Sequence, residues 1–118
     1  MLSDVRIKSW DDLTKDELYA MLQLRERVFI VEQNCPYLDA DGKDLACFHV
    51  MMMDGGKCCA CARILPPGVS YNEWSVGRGV SHKDVRGLGY GKALMHATME
   101  WLRNRDVGAI RISAQLYL

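Results

Sequence analysis

The stretch "ACFHVMMMDGGKCCACARIL", residues 46–65, constrains the fold of this chain more than any other. Two apolar runs flank Asp-Gly-Gly, and glycine supplies the positive φ that a tight turn between antiparallel strands requires. The segment is predicted to be a β-hairpin, closed at its far end by "PPG".

The flanking sequence adds helices and more strands. Val5 and Ile7 begin an alternation that suits a first strand over Val5 to Trp10. Thr14 and Glu17 have capping-box spacing, with Thr14 as N-cap. Leu18, Met21, Leu22, Arg25, Val28 and Phe29 then follow a helical stripe, apolar except at Arg25. "NCPYLDADGKD" reads as a loop. "WSVGRGVS" is a short strand, "GKALMHATMEWLRNR" a second helix with Leu94, Met95, Met99, Trp101 and Leu102 as apolar members, and "GAIRISAQLYL" a last strand. Strand, helix, hairpin, strand, helix, strand makes a mixed α/β (α+β) sheet, with residues 1–118 as one domain.

Fifteen basic and fifteen acidic side chains cancel, which argues against a broad nucleic-acid footprint. No apolar run approaches the ~20 residues that cross a bilayer. The first ten residues lack the pattern of a signal peptide, so a cytoplasmic protein without membrane partners is expected. Five cysteines, an odd number, argue against a disulfide framework. "CCACAR" lacks zinc-ligand spacing, so no metal site is expected. In a regular strand Cys59 and Cys61 would share one face and Cys58 the other.

"VRGLGYGKAL", Val85 to Leu94, places glycines at alternate positions between an arginine and a helix-like run. Glycines let backbone N–H groups approach a ligand closely, and a helix N-terminus favours an anion there. A phosphate or pyrophosphate is the natural ligand. The Walker A spacing fails, because Gly91-Lys92 is followed by Ala93. The dinucleotide fingerprint fails too, since the spacing is GxGxG and falls late in the chain.

What remains is Arg-x-x-Gly-x-Gly at Arg86, Gly89 and Gly91, and here the chain resembles the GNAT superfamily of acetyl-CoA-dependent N-acetyltransferases. "LYAMLQLRERVFIVEQNCPYLDADGKDL", residues 18–45, is similar to its ElaA-type branch, and "ARILPPG", "VGR" with "VS", and "SAQ" fall in the same order. The resemblance covers essentially the whole chain. It implies the acyl-CoA N-acyltransferase fold, acetyl-CoA as co-substrate and direct transfer to an amine of a small molecule or peptide. It also implies a pyrophosphate held at the glycine loop and a pantetheine arm in a V-shaped gap beside the strand Val76 to Ser81. Two departures stand out. Gly79 occupies a β-branched position in a strand that is typically bulged, and the segment is one residue short. The family also continues past this last strand with a helix and two strands, and that helix often carries an acid. Tyr117 lies on the strand and does not inherit that role.

On this resemblance, Arg86, Gly87, Leu88, Gly89, Tyr90 and Gly91 are the expected pyrophosphate cradle. Lys92 either screens phosphate charge or is a solvated lysine. Gly77, Arg78, Gly79 and Val80 are expected to meet pantetheine through their backbone. Glu32 and His49 are the candidates for accepting a proton from the amine, although a lone histidine on an apolar strand is more often a satisfied core residue. Arg25, Glu32 and Gln33 are candidate acceptor contacts; for Arg25 an internal ion pair is the rival reading. Asp39, Asp41 and Asp44 are either a solvated loop or an attractor for a cationic amine. His82 and His96 are expected at the surface, and Met51 to Met53 in the core. A second class of function, a coenzyme-A-binding module with little turnover, follows if the missing segment carries the catalytic acid. The edge of the last strand, with Ile110, Ile112 and Leu116, predicts a homodimer; the alternative is that the 118 residues are a fragment of a longer gene product.

Overall fold

A computed structural model describes residues 4–34, 36, 38–112 and 116–117. The first strand, β1 (Asp4–Ser9), runs antiparallel to β2 (Phe48–Asp54). The hairpin turns as expected. Gly55 and Gly56 stand at φ of 57° and 87°, and β2 passes antiparallel into β3 (Lys57–Leu65). Next to β3 lies β4 (Trp74–Ser81), again antiparallel. Two short strands, β5 (Ile110–Ile112) and β6 (Leu116–Tyr117), pair parallel with β4. Both belong to the stretch expected as the last strand, whose residues 113–115 lie outside the described ones.

Helices cover both faces of this sheet. Thr14 Oγ accepts from the Glu17 N–H at 3.1 Å, and the Glu17 carboxylate accepts from the Thr14 N–H at 2.9 Å, completing the capping box that starts α1 (Lys15–Arg25). The chain continues as a wider π-helical segment, Glu26–Glu32. From these two, Met21, Leu24, Val28 and Phe29 pack on Met51, Met53, Cys61 and Val80. On the other face, Leu94 and Leu102 of α2 (Tyr90–Arg103) pack on Val50, Met52, Ala62, Ile64 and Val76. No described helix is long and apolar enough to cross a membrane.

Two bulges shift the alternation of side chains. Met52 pairs with Ala60 and Met53 with Cys58, which leaves Cys59 as an extra residue in β3. Cys58 and Cys61 therefore face α1 together, contrary to the regular alternation, while Cys59 is displaced to partial exposure. In β4, Cys61 pairs with Val80 but Arg63 with Gly77, so the extra residue falls at Arg78 and Gly79. Arg78 adopts a left-handed φ of 51°. As a result Val76 and Val80 face opposite helices although they are four positions apart.

Candidate active site

The glycine loop links the end of β4 to the start of α2. Gly87 and Gly89 stand at φ of 82° and 88°, and Gly89 is the N-cap of α2. A Cβ at either position would meet no atom within 4 Å, so the loop borders open space. With Ala93 N–H already bonded to the Gly89 carbonyl, the N–H groups of Tyr90, Gly91 and Lys92 are the donors a helix start leaves without intrahelical partners. Leu88 and Lys92 are exposed, and Tyr90 packs its ring against the α2-side core. Arg86 Nε donates to the Ser81 carbonyl at 3.1 Å, and Nη1 pairs with Glu32 Oε1 at 2.9 Å. Nη2 has no partner among the described residues. A fixed guanidinium, an open glycine curve and a row of free N–H groups fit a pyrophosphate.

The neighbouring strand fits the coenzyme less simply. The sheet does not open along all of Val76 to Ser81, because β5 pairs with Trp74–Val76 and β6 with Gly79 and Val80. The expected V-shaped gap is corrected to this extent: β5 reaches Val76 and β6 covers Gly79 and Val80, while residues 113–115, which follow β5 towards β6, lie outside the described ones.

Below the bulge, on the α1 face, six charged side chains close a ring. Arg25 Nε pairs with Asp39 at 2.9 Å, and Asp39 with Arg78 Nε at 3.0 Å. Arg78 Nη2 reaches Asp41 at 3.4 Å, and Asp41 meets Arg63 Nη2 at 2.7 Å. Arg63 Nη1 and Arg25 Nη1 both lie 3.0 Å from Asp44 Oδ1, which completes the circuit. Three guanidinium groups alternate with three carboxylates, so their charges cancel. Burial pushes the Asp44 carboxyl up, but Arg25 and Arg63 outweigh it and hold the group below its ordinary range. Asp41 is also held well below its ordinary range, chiefly by its hydrogen bond from Arg63.

This arrangement places the candidates. Arg25 is 2% exposed with every terminal nitrogen engaged by Asp39 or Asp44, the internal ion-pair reading. His49 is 1% exposed, its Nε2 lies 2.9 Å from the Asp44 carbonyl, and burial lowers its proton affinity. It is a satisfied core histidine beneath the ring. Glu32 lies at the end of the π-helical segment beside Arg86, while Gln33 is exposed just beyond. His82 is half-buried and caps the next turn through the Asp84 N–H; His96 is exposed. Asp39, Asp41 and Asp44 are neither a solvated loop nor a free acidic cluster. The residue that sequence reasoning missed is Arg63. Its signal was an arginine at an inward position of an apolar strand, which demands a buried counter-charge.

Comparison with known proteins agrees with this picture. The model of the acetyltransferase (GNAT) family matches residues 7–117. A UPF0039 protein of Synechocystis sp. is 37% identical over 115 residues, covering 93% of this chain and 75% of its own. Protein ElaA of Escherichia coli is 41% identical over 98 residues, 77% of this chain. The matched part spans 64% of ElaA, under two thirds of its length. The crystal structure of E. coli ElaA superposes with a TM-score of 0.82 at 36% identity, over 88% of this chain and 71% of that one. An acyl-CoA N-acyltransferase from Pseudomonas aeruginosa superposes at 0.87 with 39% identity, over 95% and 79%. With the glycine cradle, the bulged fourth strand and these likenesses together, the chain belongs to the GNAT acetyltransferase family and has its mixed α/β acyl-CoA N-acyltransferase fold.

Proposed function

We propose that this protein transfers an acetyl group from acetyl-CoA directly to a primary amine of a small molecule or peptide. The observation that carries the reading is the cradle at the start of α2. Arg86 is held by Ser81 and Glu32, its Nη2 without a partner among the described residues, beside the left-handed Gly87 and Gly89 and open space. Arg86, the N–H groups of Tyr90, Gly91 and Lys92 and the positive end of α2 hold the pyrophosphate. Pantetheine reaches the bulge along β4, displacing the two-residue β6 ladder from Gly79 and Val80. The neutral amine then attacks the thioester carbonyl at Gly77–Arg78. An N–C bond forms, the C–S bond breaks, and the amine proton leaves through Glu32 or water while the thiolate departs. The buried cysteines play no nucleophilic part: Cys47, for example, is pushed up to about 11 by burial. Cys47, Cys58 and Cys61 carry thiols and not disulfides, which suits a cytoplasmic compartment, and the side of β5 away from β4, which pairs with no strand among the described residues, suits pairing in a homodimer.

Calorimetric titration with acetyl-CoA is the test. Wild type should bind at micromolar coenzyme and Arg86→Ala about tenfold or more weakly, the worth of a charge-assisted phosphate contact. No binding by wild type overturns the reading, and equal binding by the variant overturns the cradle. A second reading, a coenzyme-binding module with little turnover, is favoured by the engagement of both proton-acceptor candidates, His49 in the core and Glu32 with Arg86. Thiol release from acetyl-CoA with a panel of amines separates the two.

A further inference from the structure

A cleft of about 140 Å³ opens on the α1 face beside Gly77 and Arg78, where the acetyl group is expected. Its walls come from the loop around Asp41 to Lys43, from Arg63 on β3, and from Ser70 and Tyr71 in the connection to β4. Arg63 and Arg78 belong to the charge-balanced ring. Lys43 does not. Its ammonium donates to Ser70 Oγ at 2.8 Å and has no carboxylate partner among the described residues, so the cleft carries one uncompensated positive charge.

Asp41 is no counterweight for an incoming cation. Its Oδ1 accepts from Arg63 Nη1 at 2.9 Å and from the Lys43 N–H at 3.1 Å, and its Oδ2 from Arg63 Nη2 at 2.7 Å and Arg78 Nη2 at 3.4 Å. Both oxygens are already filled by two donors each, which is their ordinary capacity. An ammonium entering here meets Lys43, Arg63 and Arg78 and finds no free acceptor charge. A carboxylate meets the Lys43 ammonium and the Ser70 hydroxyl.

We infer that Lys43, with Ser70, holds the carboxylate of the acceptor, and that the acceptor is a small amine bearing a carboxylate, an amino acid or the end of a short peptide. This deepens the acetyl-transfer reading and rests on it. Size agrees. A cavity of roughly 150 Å³ takes a molecule of benzene size, so this one seats about the heavy atoms of a small amino acid.

The experiment reads binding as well as turnover. N-acetylglycine, the product analogue, and N-acetylglycinamide, which lacks the charge, are titrated separately into 15N-labelled protein. The acid is expected to shift the backbone signals of Lys43, Ser70 and neighbouring residues saturably. The amide should bind about tenfold or more weakly, and Lys43→Ala should erase the difference. Ser70→Ala should weaken the acid alone. Equal binding of acid and amide, or a preference unchanged in Lys43→Ala, overturns the inference. So does the absence of any saturable shift with the acid. In turnover, glycine should exceed glycinamide and spermidine in kcat/KM, and Lys43→Ala should raise KM for glycine alone. A chain that binds the acid through Lys43 yet releases no thiol with any amine overturns acetyl transfer and leaves the carboxylate site standing. Brisk acetylation of spermidine with no preference for glycine does the reverse.

Discussion

Arg86 and Glu32, separated by most of the sheet in sequence, meet in an ion pair of 2.9 Å that joins the glycine cradle to the end of the π-helical segment. The pair orients the guanidinium and also half-neutralises it. Glu32→Gln should therefore tighten coenzyme binding by about two- to five-fold, the scale of a partly exposed pair. The gain should shrink in high salt, as screening removes the competing charge. Calorimetry with coenzyme A at low and high ionic strength checks this; weaker binding by the variant would show that orientation outweighs charge.

Gly89 separates ligand space from folding. At φ of 88° an alanine is strained by about 1–2 kcal/mol, yet its Cβ would touch nothing in the free chain. Gly89→Ala should lose only that much in urea denaturation, but coenzyme affinity should fall more than tenfold, because the methyl enters the cradle. Affinity that survives intact would mean the phosphate lies elsewhere.

The ring of ion pairs should be brittle to single cuts. Asp44 joins Arg25 and Arg63, and its side chain is 8% exposed. Asp44→Asn should cost about 3–5 kcal/mol, because it leaves buried guanidinium charge uncompensated. Denaturant midpoints for this variant and for Asp44→Asn combined with Arg63→Met measure it. The double variant should recover part of the loss; a double variant no better than additive would argue against coupling.

Acid should unfold the chain partly through Glu17. Burial pushes this carboxyl up, but the Thr14 N–H, Lys8 and Arg6 outweigh it and bring it from 4.5 to about 2. A folded value below the unfolded one means stabilisation that is present above the unfolded value, here 4.5, and fades as pH falls towards about 2. Glu17→Gln should lower stability at neutral pH and flatten the acid limb over that window. Urea midpoints from pH 2 to 7 provide the test; an unchanged acid limb would assign the acid response to the ring instead.

Much of the site was legible because its signals are local. The Thr14–Glu17 cap lies within one helical turn, the Asp-Gly-Gly turn within one hairpin, and the left-handed Gly87 and Gly89 within one loop. Each is decided by φ preferences and hydrogen bonds between residues a few positions apart, which tertiary context seldom overrides. Sequence by itself thus determined the order of the main elements, the shape of the glycine loop and the family.

Tertiary packing decided the rest. Whether Cys58 shares a face with Cys61, and Val80 opposes Val76, depends on bulges at Cys59 and Arg78 that no alternation pattern reveals. The ring draws Arg25, Asp39, Asp41, Asp44, Arg63 and Arg78 from one α-helix, one loop, the short 3-10 helix Asp44–Ala46 and two strands. Asp39 alone joins Arg25, 14 residues away, to Arg78, 39 residues away. A buried charge requires a partner but does not name it, because Coulomb attraction depends on distance in space, and only the assembled sheet and helix set that distance.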